Sequence, residues 1–224
     1  SIAFEVDSNN NLVNLETDNI CLFCTFPLIG SENYQFPFIL NSPHFETFTE
    51  RNGIILEGDK IKSDKLSNTG LNCLIIDSSI ELFRIILQWL IQNNYSNFAS
   101  FSNGLIFNSK TLPQMKPFLM NLREILENSK IIHNSENVQT VFKQTFILDF
   151  NNIKEPKAFH KLASQFYANV ASFEECLQWQ HKTWPSISVL YVETFVSHID
   201  NFGKDSNFNS EPFQLSHKVF KSGL

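Results

Sequence analysis

The spacing of apolar residues changes part-way along this chain, and that change constrains the fold more than any other feature. Up to Leu56 the apolar residues come in short runs: Ile2, Phe4 and Val6, then Leu12, Val13 and Leu15, then Cys21 to Ile29, Phe36 to Leu40 and Ile54 to Leu56. Short apolar runs bounded by Gly, Asn, Asp and Ser are the pattern of strands and turns. The first quarter is therefore expected to be β-sheet, with a hairpin around Asp7–Asn11 and a polar loop at Gly30, Ser31 and Asn33. Past a polar stretch at 57–70, Leu74, Ile75, Leu82, Phe83, Ile86, Leu87, Leu90 and Ile91 recur at steps of three and four. That is the period of an amphipathic helix. It predicts a helix over 77–93, with Asp77 or Ser78 as cap and Glu81 in the first turn.

The remainder mixes both patterns. Pro113–Ser129 carries Met115, Phe118, Leu119, Leu122, Ile125 and Leu126 at helical spacing with Pro at the first turn, while 98–107 reads as irregular. Residues 131–150 return to strand-like runs. Pro156–Val170 and Phe173–Thr183 read as helices, and Pro185 opens a further periodic segment, Ile187–Ile199. The expected class is α+β: an N-terminal mixed or antiparallel sheet with packed helices, followed by a smaller strand-plus-helices region. The expected divisions are an α+β region at 1–110, a mainly helical region with a short β segment at 111–200, and a polar tail or linker at 201–224.

Bulk properties narrow the function classes. With 224 residues, 42% hydrophobic and 18% charged, the chain can bury a substantial core. A net charge of −6 and a pI near 5.5 lack the basic footprint of a nucleic-acid binder. The sequence has no apolar run of the ~18–20 residues needed to span a bilayer, and its start lacks a signal-peptide pattern. Neither nucleic acid nor membrane is an expected partner, and the expected location is cytoplasmic. The four cysteines, at 21, 24, 73 and 176, are irregularly spaced and read as reduced. A first residue of Ser, followed at once by a strand-like segment, is the expectation for a piece of a longer protein.

Few motifs carry chemistry. Cys21-Leu-Phe-Cys24 has the spacing of a zinc or redox pair, but residues three apart in a strand face opposite ways and no second pair of this spacing exists. The six histidines lack the i, i+4 spacing of a metal-binding helix, so no metal site is expected. Neither GxxxxGK[ST] nor GxGxxG occurs, which leaves no phosphate cradle within the chain. Glu174 and Glu175, ahead of Trp179 and Trp184, have the composition of a carbohydrate site, but read more simply as a solvated helix face beside a core face.

The segment richest in signal is 21–56. It holds Phe26-Pro27, then Phe36-Pro37-Phe38-Ile39-Leu40-Asn41, then Thr49-Glu50-Arg51 in a polar turn. On residues alone, Arg51 pairs with Glu46 or Glu50. The run from Thr25 to Leu56 resembles the segment that follows the nucleotide-binding domain in sacsin-like GHKL ATPases, relatives of the ninety-kilodalton heat-shock chaperones. The resemblance implies a middle region in which Arg51 reaches the γ-phosphate of ATP held with Mg by the preceding domain. Asn41, Thr49 and Glu50 would then be its supporting residues. A guanidinium suits that role because it stays protonated and donates as a fork. The implied partners are the upstream nucleotide-binding domain of the same polypeptide, an unidentified protein client, and a second copy in a homodimer of the parent. The nucleotide-binding motifs themselves are absent from this sequence, so the chain alone is not expected to hydrolyse ATP.

Two further readings stand beside that one. The chain is alternatively a stand-alone protein–protein interaction module whose Phe-rich surfaces anchor partners, with 23 Phe in all. A hydrolase with a dispersed site would require a pocket that joins a His, a carboxylate and a nucleophile.

Overall fold

The computed structural model describes residues 1–15, 19–56, 69–105, 107, 111–180 and 182–205. The chain divides into two compact units, Ser1–Ile131 and Ile132–Leu224, and the fold is α+β.

In the first unit, β1 (Ile2–Ala3), β2 (Leu22–Cys24), β3 (Phe26–Pro27) and β4 (Ile39–Asn41) form a mixed sheet in the order β1-β4-β2-β3. β4 runs antiparallel to β1 and parallel to β2. The expected single strand from Cys21 to Ile29 instead folds back on itself at Thr25, which takes a φ of 66°, so that β2 pairs antiparallel with β3. The expected hairpin around Asp7 is present: Val6 bridges Leu12, and the Asp7 carboxylate accepts from the Asn9 and Asn11 backbone N–H groups, both at 2.8 Å.

α1 (Thr69–Gln92) is longer than the periodicity predicts and begins ahead of Asp77. Asp77 and Ser78 are exposed interior positions of the helix rather than caps. The extra turns form because Asn72 and Ile76 extend the core-facing row, and Asn72 is satisfied there. Its Nδ2 donates to the carbonyls of Glu46 and Ile55 at 2.7 and 2.8 Å, and its Oδ1 accepts the Glu46 N–H at 2.9 Å. A fully buried Asn is tolerated only when so paired. The 57–68 part of the expected polar loop lies outside the described residues.

The core of this unit is aromatic. Phe38 stacks on Phe83 at 5.3 Å between ring centroids, and Phe83 meets Phe101 edge-on at 5.1 Å. Phe98–Leu105, expected to be irregular, is a 3-10 helix. α2 (Lys116–Glu127) follows a single 3-10 turn at Pro113–Met115 and packs on α1. The helix expected to open a separate region after 110 therefore belongs to the first unit.

The second unit contains two short pairs, β5 (Ile132–His133) with β6 (Gln139–Thr140), antiparallel, and β7 (Ile147–Leu148) with β8 (Val189–Leu190), parallel. Around them lie α3 (Pro156–Phe166), α4 (Phe173–Trp179) and α5 (Val192–Asp205). Ser172 caps α4 by accepting the Glu175 N–H. Phe142, Trp179 and Trp184 form one cluster, with Phe142 and Trp179 centroids 4.0 Å apart. Phe159 and Phe195 join α3 to α5. α5 continues to Asp205, through the start of the expected polar tail, and 206–224 lies outside the described residues.

Candidate functional site

Arg51 sits at the tip of a hairpin closed by the Thr47–Ile54 bridge. Its N–H donates to the Phe48 carbonyl at 2.9 Å, and its φ is 53°, a left-handed conformation that bulky residues seldom adopt. The hairpin is locked against the 3-10 turn at Ser31–Tyr34. Tyr34 Oη donates to the Ile54 carbonyl and accepts the Ile54 N–H, both at 2.8 Å. Two glycines permit the approach: a Cβ on Gly30 would lie 2.8 Å from the Asn52 carbonyl oxygen, and one on Gly53 would lie 2.5 Å from Tyr34 Oη.

Among the described residues the Arg51 guanidinium reaches neither Glu46 nor Glu50. It donates to the Cys24 carbonyl at 2.9 Å. Thr49 and Glu50 share the exposed tip with Arg51. Asn41 does not; it lies in β4, where its backbone N–H and carbonyl both bond Ser1.

The other sequence candidates resolve into packing. Cys21 is buried, and its thiol donates to the Ser31 carbonyl, while Cys24 turns toward the carbonyls of Pro43 and Phe45. Burial pushes the Cys21 thiol up to about 11. Among the described residues no three His, Cys, Asp or Glu side chains are grouped to hold a metal. Trp179 and Trp184 are core residues, so neither offers a face to a sugar. Glu175 lies against His133, with Oε1 3.4 Å from Nδ1 and 3.4 Å from the His133 backbone N. Burial holds the Glu175 carboxyl above its ordinary range, and the His133 contacts partly offset that rise. This pair ties β5 to α4. His181 and His217 lie outside the described residues.

The feature that sequence reasoning missed is the second face of α1. Asn72, Ile76, Ile80, Phe83, Leu87 and Leu90 form the buried row. At 100° per residue, a second apolar row lies roughly 150° round the helix. Leu71, Leu74, Leu82, Ile85 and Trp89 are all exposed in it, Leu74 and Ile85 to 63% and 64% and Trp89 to 52%. Beside its first half runs a groove of about 340 Å³, lined by Leu71, Leu74, Ile75, Ser78 and Leu82 on the helix and by Ile2, Leu40 and Asn41 on the sheet. β1, the strand next to the groove, is an edge of the sheet. The available signal was the breadth of the pattern: a helix with one buried face needs a single stripe, and apolar residues on α1 occupy two.

No family model matches the chain, and no curated protein or solved structure matches it. Among the described residues no helix is long and apolar enough to cross a membrane.

Proposed function

We propose that this chain is a protein-interaction module that docks its partner on the outer face of α1. The observation that carries this reading is the exposed apolar row from Leu71 to Trp89. Its five exposed side chains present on the order of 500 Å², a size at which apolar patches are often functional. Trp89 and Ile85 are the anchors, since large rigid side chains concentrate binding energy. Glu81 borders the row on one side, ion-paired at 3.3 Å with Arg84, which lies further round the helix and off the face. Cytoplasmic placement accompanies this reading and is supported by free thiols at all four cysteines. A photoreactive residue at position 85 tests the proposal. It should give discrete cross-linked products in the protein's native extract, whereas the same residue at position 84 should give few. Equal or absent products at both positions would overturn it.

A second reading is favoured by the Arg51 hairpin. Its tip is pinned by Tyr34, Gly30 and Gly53, and the arginine is held in a left-handed conformation. A rigidly presented cation with unused donors suits a phosphate held by a preceding nucleotide-binding domain. In a longer form of the protein with ATPase activity, Arg51→Ala should slow turnover while leaving nucleotide binding nearly intact. Unchanged turnover removes this role.

A further inference from the structure

The outer row of α1 and its half-buried neighbours Ile75 and Ile86 occupy positions symmetric about residue 80. Reflecting residue numbers about position 80 exchanges Leu71 with Trp89, Leu74 with Ile86, Ile75 with Ile85 and Ser78 with Leu82, so the set maps onto itself. The helix runs from 69 to 92, which places that centre at its midpoint. We infer that the partner on this face is a second copy of the chain, with the two α1 helices packed antiparallel across a twofold axis near residue 80. This rests on the docking face proposed above and names its occupant.

An isologous interface requires a self-complementary surface, and this row supplies one. At 100° per residue, Leu71, Ile75, Ser78, Leu82, Ile85 and Trp89 all fall within about 40° of one line. In this register Leu71 meets Trp89 and Ile75 meets Ile85, while Leu82 meets Ser78. Ser78, at the centre, is the small residue that lets Leu82 of the other copy approach closely, as a knob enters a hole. The area also suits a dimer: two rows of about 500 Å² bury roughly 1,000 Å², the threshold for a specific interface.

Sedimentation equilibrium on the full chain tests the inference. The expected result is a monomer–dimer equilibrium across micromolar to near-millimolar concentrations. Ile85→Glu, which places an unpaired carboxylate at the interface twice, should weaken pairing about 100-fold. Gln88→Glu, on the flank, should leave it within about 3-fold. Ile85 is 64% exposed, so its variant keeps the folded core; circular dichroism checks this, and Trp89→Ala serves as an independent interface variant. Orientation is read by short-linker cross-linking above the background of the unsubstituted protein. Copies with Leu71→Cys should join copies with Trp89→Cys and not one another.

A dimer indifferent to Ile85→Glu and Trp89→Ala, or Leu71→Cys copies that cross-link to themselves, overturns the inference. So does a monomer at every concentration. In that case products from position 85 with another protein would leave the docking face standing with a different occupant. Absence of any product would remove both readings.

Discussion

Asn72→Ala tests whether α1 is anchored as described. Asn72 is fully buried and spans three polar groups, two carbonyls and one N–H, at 2.7 to 2.9 Å. Each of the three bonds contributes about 1 kcal/mol net, and the Glu46 carbonyl keeps the Ile55 N–H at 3.0 Å, so the loss is about 3 kcal/mol. With a urea dependence of ~2 kcal/mol per molar, the midpoint should fall by about 1.5 M. Asn72→Asp should do no better at neutral pH. A carboxylate accepts the Glu46 N–H but repels the carbonyls of Glu46 and Ile55, and it is desolvated. Hydrogen exchange across a urea series, followed on peptides from Ser1–Ile131, measures both variants. A loss below about 1 kcal/mol, or a stable Asp variant, would refute the anchoring argument.

Three other outcomes follow from the same geometry. Gly30→Ala should cost about 2 kcal/mol or more in thermal unfolding, because Gly30 has a φ of 102° and its Cβ would press on a backbone oxygen; Gly70→Ala, on α1 with open space around it, should stabilise by about 0.5–1 kcal/mol. Glu175 holds its proton more tightly folded than unfolded, so its contribution to stability declines as pH rises past the ordinary carboxylate range; Glu175→Gln should gain on the wild type in melting temperature across that rise, and a variant that loses ground to the wild type would reverse the sign. Iodoacetamide at mildly alkaline pH should label Cys24 and Cys73 in the folded protein and spare the buried Cys21 and Cys176, whose thiols are raised to about 11 and about 12; mass spectrometry of the labelled peptides decides it.

The sequence made the main helices legible, because Phe83, Leu87 and Leu90 on α1 and Leu119, Leu122 and Leu126 on α2 keep helical spacing wherever they are buried. It concealed what depends on distant partners. Nothing local marks Thr25 as a reversal between β2 and β3, or pairs β2 in parallel with β4. The early start of α1 depends on Glu46 and Ile55, far upstream of Asn72. Arg51 was legible as a turn cation, but its bond to the Cys24 carbonyl requires the hairpin to fold over β2 first. The outer row of α1 was present in the periodicity as Leu74, Ile75, Leu82 and Ile86. Apolar spacing identifies a helix; burial decides which of its two faces is the core.

Hydroxyl-radical footprinting of the full chain as concentration rises tests pairing through the α1 face most directly. Trp89 on α1 and Met120 on α2 are exposed to 52% and 58%, and both side chains react readily. Trp89 oxidation should slow as copies pair, while Met120 oxidation holds constant. Trp89 and Met120 oxidising at unchanged rates across the full concentration range would contradict pairing through α1.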